Sequence, residues 1–380
     1  MSNQTESAKE PQKPFLMVSE SMRNADMYYA TRFLAADPFI YLRIPDQEQK
    51  EILIVSQMEY GRAKKESIVK KVRSSLDYGQ NLKREELLVE ILRGERITTI
   101  EVPRYFPLYT AEALRENGID VVAVEDMVMT KARATKTEQE LTHIKKAQSA
   151  CEKAMDLAVT IIKKSTVKEN VLMENGVILT SERVKAYIEH ALLDAGCTFD
   201  GGEPIVACGK RSADPHFSGT GPLIANEPII IDIFPRLKRE RYFADMTRTV
   251  VKGAPREEIT EMYEAVLEAQ NAALALVKEG VTCKAVHDRV CDLFEGNGYE
   301  TIRTGGKTGF IHSTGHGVGL NVHEDPRVSD NEYVLQTGNV ITLEPGLYDP
   351  EVGGVRLEDM VLVRKSGCEN LTRFEKRLVL

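Results

Sequence analysis

No stretch of 18 apolar residues occurs in this 380-residue chain, so no transmembrane helix is expected. A basic surface is missing too: 50 Lys and Arg are mixed among 58 Asp and Glu, for a net charge of −8. Displacing counterions from a nucleic acid needs clustered Lys and Arg, so the composition argues against nucleic-acid binding. Cysteine is scarce, and Cys151, Cys197, Cys208, Cys283, Cys291 and Cys368 form no C-x-x-C pair. Cys283 and Cys291 fall in one expected helix, too far apart for a bridge. Free thiols in a reducing cytoplasm fit that pattern. Met1 to Pro14 has no apolar segment and reads as a polar, disordered tail, not a secretory signal. A chain of this length is expected to fold as two domains.

What the chain does have is a glycine-spaced histidine cluster. His312, His316 and His323, three of its seven histidines, lie between Ile311 and Pro326. Gly315, Gly317 and Gly319 oppose a continuous helix, because each adds backbone entropy that a helix must remove. The segment reads as a loop leading into a short strand. Arg327 stands four residues after His323, so the helical H-E-x-x-H zinc motif is excluded. Gly306-Lys307-Thr308 is not a P-loop either, since Thr301 holds the place of its first glycine. His143, His190 and His287 fall on expected helices without partners, as surface or packing residues.

From Phe15 to Val128 short apolar runs alternate with charged helical stretches. Phe39 to Leu42, Ile52 to Val55 and Val121 to Val124 read as strands, and Asp46 to Lys50 as a hairpin turn. Lys64 to Lys71 and Lys83 to Arg93 carry helical periodicity. This is a supporting α/β domain, taken as residues 15–130, after a tail at 1–14. The second domain, residues 131–380, opens with a helix at a Thr135-x-x-Glu138 capping box. Leu141, Ile144, Cys151, Met155, Ala158, Ile161 and Ile162 form its apolar stripe. Further helices are expected from Ser181 to Ala195, from after Pro255 to Gly280, and from Cys283 to Phe294. Strands are expected at Pro228 to Ile233, Tyr242 to Val251, Val340 to Glu344 and Gly354 to Val363. Paired helices and paired strands occur twice, which suggests a duplicated architecture around one sheet.

Each strand pair carries two carboxylates: Asp232 and Asp245, then Glu344 and Glu358. In a hairpin such residues can face each other across the strands. A carboxylate inside an apolar strand is costly unless paired or bound to a cation. Four of them, with no equal supply of buried Lys or Arg expected, call for concentrated positive charge. Two divalent cations and an imidazole supply a consistent coordination chemistry, with Mn²⁺ first and Co²⁺, Fe²⁺ or Zn²⁺ as alternatives. Asp359 and Glu351 read instead as acids on exposed strand faces.

These motifs resemble the creatinase/aminopeptidase family of M24-type "pita-bread" metallopeptidases, in its proline-specific branch of Xaa-Pro aminopeptidases and Xaa-Pro dipeptidases. The match lies in Ile231-Asp232-Ile233, Asp245-Met246-Thr247-Arg248-Thr249, Gly315-His316-Gly317-Val318-Gly319, Val322-His323-Glu324-Asp325-Pro326, Leu343-Glu344-Pro345-Gly346 and Val355-Arg356-Leu357-Glu358-Asp359. The resemblance implies an α/β N-terminal domain followed by an α+β pita-bread catalytic domain. Duplicated helix and strand halves would surround a curved antiparallel sheet. It further implies that Asp232 chelates one metal ion, that Asp245 and Glu358 bridge two, and that His316 and Glu344 complete the set. His216, in Ala213-Asp214-Pro215-His216, and His323 would contact substrate, with Glu344 moving the proton. Arg356 would support the carboxylates, and His312 matches a further recurrent histidine. Short proline-containing peptides are the implied substrates and a homodimer the implied assembly. In place of the family's usual Asp-x-Gly, this chain has Asp232-Ile233-Phe234, followed by a longer basic connection from Arg236 to Arg241. Phe234 and Arg236 are therefore expected at a pocket wall. The alternatives on the same fold are a metal-dependent hydrolase of a small non-peptide C–N bond and a non-catalytic binding protein.

Overall fold

The computed structural model describes residues 13–45, 50–124 and 127–380. The chain divides into two compact units, Met1–Lys131 and Ala132–Leu380. Among the described residues no helix is long and apolar enough to cross a membrane.

In the first unit, strands β1 (Phe15–Ser19), β2 (Phe39–Ile44), β3 (Lys50–Val55), β4 (Lys71–Ser74), β5 (Thr99–Pro103) and β6 (Asp120–Val124) form one sheet. Its order is β4-β3-β2-β1-β5-β6. β1, β2 and β3 pair antiparallel, and the outer strands add in parallel. Side chains alternate across it, as the pleat requires. Leu16, Ile40, Leu42, Ile52 and Ile54 meet α3 (Arg84–Gly94) and α4 (Leu108–Glu116) on one face, through Leu88, Ile91 and Leu114. Phe15, Met17, Tyr41, Leu53 and Val55 meet Met27 of α1 (Ala25–Thr31) and Ala63 of α2 (Gln57–Glu66) on the other. The expected helix from Lys64 to Lys71 ends early, at Glu66, and Lys71 opens β4. Ser67 is the reason: its hydroxyl donates to the Thr31 carbonyl at 2.8 Å and accepts the Val69 N–H at 3.0 Å. Those local bonds compete with the next helical turn. The expected turn at Asp46 to Gln49, and most of the expected tail, lie outside the described residues.

Helix α5 (Met127–Ala134) leads to α6 (Glu138–Lys164). The capping box of α6 is Thr137 with Glu140, not Thr135 with Glu138. Thr135 is still extended, bridged to Asn339, while Lys136 N–H donates to the Gly338 carbonyl at 2.9 Å. A small sheet, β7 (Thr166–Lys168), β8 (Val171–Glu174) and β9 (Val177–Ile178), precedes α7 (Ser181–Asp194). Short β10 (Cys197–Thr198) and β11 (Ile205–Cys208) follow.

Two long antiparallel ribbons organise the rest. The first joins β12 (Ile229–Ile233) to β14 (Met246–Val250), with Asp232 opposite Thr247. The same register continues past a break into β13 (Arg236–Leu237): Ala244 N–H donates to the Pro235 carbonyl, Arg236 bridges Phe243, and Leu237 N–H donates to the Tyr242 carbonyl. Helices α8 (Glu257–Leu276) and α9 (Cys283–Gly296) come next, then β15 (Gly315–Gly317) and β16 (Glu324–Val328). The second ribbon joins β17 (Val340–Leu343) to β20 (Asp359–Arg364), with Leu343 opposite Asp359. It continues as β18 (Gly346–Asp349) with β19 (Gly353–Arg356), where Gly346 faces Arg356. Counting inward from both sides places Glu344 opposite Glu358. An edge strand, β21 (Gly367–Asn370), completes the sheet β16-β15-β17-β20-β21. The helix pairs α6/α7 and α8/α9 each pack together, α6 behind the first ribbon and α8 behind the second. The duplication expected from the sequence is this pair of helix-backed ribbons.

Both ribbons are interrupted where the sequence suggests continuous strands. β14 begins at Met246, not Tyr242, and the run from Gly354 to Val363 splits into β19 and β20. A proline sits in each break, Pro235 and Pro345, and it removes one ladder donor. Nearby N–H groups turn to other partners: Glu344 donates to the Thr314 carbonyl at 2.8 Å and Glu358 to the Thr247 carbonyl at 3.1 Å. Thr249 Oγ1 also links the ribbons, bonded to both the N–H and the carbonyl of Arg356 at 2.9 Å. The two breaks thus meet along β14.

Candidate metal centre

Alternation decides which side chains reach the breaks. On the second ribbon Ile341, Leu343, Leu347, Val355 and Leu357 enter the core with α8 and α9. The intervening positions Glu344, Tyr348, Arg356 and Glu358 therefore share the other face. On the first ribbon Asp232 faces Thr247, so Asp245 is its diagonal neighbour on one face, not its direct partner. Glu344 and Glu358, in contrast, do lie directly across from each other.

The histidine segment folds differently from the expected loop. Gly315–Gly317 is itself a strand, paired with both β16 and β17. Its glycines permit close approach: a Cβ on Gly315 would stand 2.0 Å from the Thr342 carbonyl oxygen, and one on Gly317 2.4 Å from that of Asp325. His316, between them, is delivered to the ribbon breaks. His323 lies in a bend one residue before β16, its ring edge-on to His316 with centroids 4.3 Å apart.

Ligand atoms of Asp245, His316 and Glu358 all lie within 4.8 Å of one another. His316 Nε2 is 3.7 Å from Asp245 Oδ2 and 3.4 Å from Glu344 Oε1. Burial, aided by His323, pushes His316 down to about 3, so the imidazole is neutral at neutral pH. Its Nδ1 lies 3.2 Å from the Gly317 carbonyl, which can only accept, so Nδ1 carries the proton. Nε2 is left as a bare lone pair facing carboxylate oxygens. Two acceptors hold such a position only with a proton or a cation between them.

The carboxyls carry the same message. Burial, then Glu358, Asp232 and Glu344, raise Asp245 well above the ordinary carboxylate range. Burial, then Glu344 and Asp232, do the same to Glu358. Burial and Asp232 push Glu344 up to about 8, against Arg356. Asp232 Oδ2 accepts from Arg356 Nη2 at 2.6 Å, while its buried Oδ1 has no hydrogen-bond partner among the described residues. One guanidinium is thus set against four carboxyls. An oxygen-rich set with one imidazole and an orphaned carboxylate oxygen fits a hard or borderline divalent cation.

Buried arginine is more plentiful here than the sequence suggests. Besides Arg356, Arg248 is 1% exposed and ion-paired with Asp359 at 2.8 Å. Asp359 is therefore no surface acid: it is fully buried and also takes Lys376 at 2.7 Å and Asn370 Nδ2 at 2.8 Å. Arg248 gives its remaining donors to the carbonyls of Thr247, Glu358, Phe374 and Glu375, which fixes the strands that carry Asp245 and Glu358. Arg236 and Arg241, from the basic connection, are likewise buried and pair with Asp200.

Arg356 binds more than Asp232. Its Nη1 donates to the Tyr348 hydroxyl at 2.9 Å, and its Nε to Thr247 Oγ1 at 3.2 Å. Thr247 Oγ1 donates in turn to Glu358 Oε2 at 2.8 Å. His312 Nδ1 donates to the Ser313 carbonyl at 2.8 Å, and burial holds this imidazole down at about 4. Its neutral Nε2 therefore accepts the Tyr348 O–H at 3.0 Å. Tyr348 and Thr247 escaped the sequence reading, although alternation from Glu344 and Asp245 would have reached both. His216 is exposed on the loop after a short 3₁₀ turn, its N–H bonded to Asp214 Oδ1 at 3.0 Å. It acts electrostatically on His312 and His323.

The profile of metallopeptidase family M24 matches residues 142–365. An Xaa-Pro dipeptidase of Pyrococcus furiosus is 33% identical over 86% of this chain and 86% of its own. The solved prolidase from Pyrococcus furiosus superposes with a TM-score of 0.79 at 30% identity, covering 96% of this chain and 97% of that one. An X-Pro aminopeptidase from Thermotoga maritima superposes with a TM-score of 0.81 at 28% identity, covering 97% of both chains.

Proposed function

The chain belongs to metallopeptidase family M24 and has its pita-bread fold, and on that premise we propose that it hydrolyses the amide bond before proline in short Xaa-Pro peptides. The observation that carries the reading is the group of Asp245, His316 and Glu358 beside two further carboxyls, with Arg356 the buried cation bonded to one of them. The relatives named as Xaa-Pro dipeptidases, alike over most of their length, supply the preference for proline.

In this reading Asp232, Asp245, His316, Glu344 and Glu358 hold two divalent ions, with Mn²⁺ the first choice. Such ions, when bound, acidify a water and polarise the scissile carbonyl. The protein's own groups do the rest. With cations bound beside it to favour its carboxylate form, Glu344, whose side chain keeps 17% of its surface exposed, would take the proton from the attacking water and pass it to the departing proline nitrogen. His323 and His216 donate hydrogen bonds to the carbonyl oxygen as negative charge develops on it. Arg356 holds Asp232 in place, and Tyr348, itself bonded to His312, holds Arg356. The Ala132–Leu380 unit carries this chemistry, the free thiols suit a cytoplasmic enzyme, and the family resemblance suggests that it acts as a homodimer. Light scattering at twice the chain mass checks the assembly.

The test is a reconstitution. Chelator-treated protein is loaded with Mn²⁺ or Co²⁺ and assayed against Ala-Pro, Ala-Ala and a longer Ala-Pro peptide. Proline release from Ala-Pro, lost on chelation and restored by metal, is expected. Undiminished activity in a sample verified to be metal-free, or equal rates on Ala-Ala, would overturn it.

A further inference from the structure

The first ribbon carries one residue out of character with its metal-facing side. Phe234 stands two residues beyond Asp232 and, in the continued register, directly across from Asp245. The neighbouring rung is joined through Ala244 N–H and the Pro235 carbonyl at 3.0 Å, and Leu237 N–H meets the Tyr242 carbonyl at 2.9 Å. Phe234 and Asp245 therefore form an unbonded rung, the kind in which facing side chains come closest. Alternation puts the phenyl ring on the face of Asp232, Asp245 and Thr247. Its apolar neighbours Ile231, Ile233 and Phe243 are 0%, 0% and 3% exposed, yet Phe234 is only half-buried.

The back of the ring is held firmly. A Cβ on Gly201 would lie 3.1 Å from Phe234 Cδ2 and 3.1 Å from Phe243 Cε1, so the ring rests on bare backbone. Gly202, at φ +129°, would place a Cβ 3.5 Å from Phe234 Cε2. The loop bearing these glycines is anchored where Asp200 pairs with Arg236 and Arg241, and Arg236 lies over the Phe243 ring at 5.3 Å. The basic connection thus anchors the loop on which the Phe234 ring rests.

We propose that Phe234 is the apolar wall of the pocket that receives the side chain of Xaa, and that it restricts Xaa to small residues. This rests on the Xaa-Pro reading above. The leaving nitrogen must lie near the Glu344 proton on the second ribbon. The other half of the substrate, Xaa with its cationic amine, then lies over Asp232 and Asp245 of the first ribbon. The Xaa side chain branches one bond from the scissile carbonyl, where the residue across from Asp245 meets it.

The experiment compares kcat/KM for Phe-Pro and Ala-Pro in the metal-loaded enzyme. Wild type favours Ala-Pro. Phe234→Ala raises the Phe-Pro to Ala-Pro ratio by on the order of 10-fold or more, the scale on which pocket volume discriminates. Phe234→Leu, which keeps an apolar side chain on the glycines, gives an intermediate ratio. Gly201→Ala pushes the ring the other way and lowers the ratio. A ratio unchanged in Phe234→Ala and Phe234→Leu, with both substrates slowed equally, assigns the ring to packing and overturns the proposal. The same series on Phe-Ala and Ala-Ala separates the two ideas. A wild type that cleaves these but not Xaa-Pro ends the proline reading, while the size ratio still decides the role of Phe234.

Discussion

Behind the first ribbon α6 offers the Ile233 carbonyl a thiol, Cys151 Sγ at 3.1 Å, whereas behind the second α8 offers an amide. Gln270 Nε2 donates to the Leu343 carbonyl at 2.9 Å and the Leu357 carbonyl at 3.1 Å. The need differs as well. Leu357 lies opposite Pro345, which has no N–H to give it, so the buried amide replaces a missing ladder bond. The acids also differ: Glu344 and Glu358 meet head-on, while Asp232 and Asp245 sit on a diagonal, one of them held by an arginine from the other ribbon. One interrupted ribbon, used twice, therefore yields two unlike half-sites. The ribbons share the task of gathering carboxyls but divide the supporting work.

The largest effect tests whether the halves are equivalent for metal. Asp245→Asn on the first ribbon and Glu358→Gln on the second should each abolish activity and lower bound metal, read by elemental analysis of dialysed protein. If one variant kept full metal while the other lost it, the symmetric use of the two ribbons would be refuted.

The histidines come next, because they belong to neither ribbon. His323→Ala and His216→Ala should retain metal while kcat drops about 10²–10³-fold, the usual cost of a lost donor to a developing oxyanion. His316→Ala should instead lose metal. Release of metal from His323→Ala as readily as from His316→Ala would show that His323 is a ligand.

Smallest is the difference between the helix groups behind the breaks. Gln270→Met leaves the buried Leu357 carbonyl without a donor and should cost about 1–3 kcal/mol in denaturant unfolding. Cys151→Ala removes only a weak S–H donor and should cost less. Equal losses would mean that the breaks are supported alike.

Much of this centre could be read from the chain because its donors sit in motifs of unusual composition. Carboxyls within apolar runs and glycine-flanked histidines stand out locally, and alternation assigns their faces. Features that depend on distant partners could not be read. The pattern T-x-x-E occurs at Thr135 and again at Thr137, and only the pairing of Thr135 with Asn339 decides between them. Asp359 looks like a surface acid until Arg248 arrives from the other ribbon. The breaks were hidden because apolar residues flank them, Phe243 and Met246 in the first ribbon and Val355 and Leu357 in the second, and at the second the bonds that open the ladder come from Thr247 and Thr314. His312 is better understood from its far neighbour Tyr348 than from the histidines beside it in sequence.

The glycines around His316 have a consequence for anyone wishing to build such a centre elsewhere. Gly315, Gly317 and Gly319 would each place a Cβ within 2.4 Å of an oxygen, Thr342 O, Asp325 O and Glu324 Oε1 respectively. Even alanine is too large at Gly315 and Gly317, where the clash is with backbone, and at Gly319 it would displace the Glu324 carboxylate. The five side chains proposed as donors are thus not by themselves a portable unit. A graft onto a foreign sheet that copied them but kept ordinary residues on either side of the histidine would hold its strands apart, and the imidazole would arrive too far from the acids to share an ion with them.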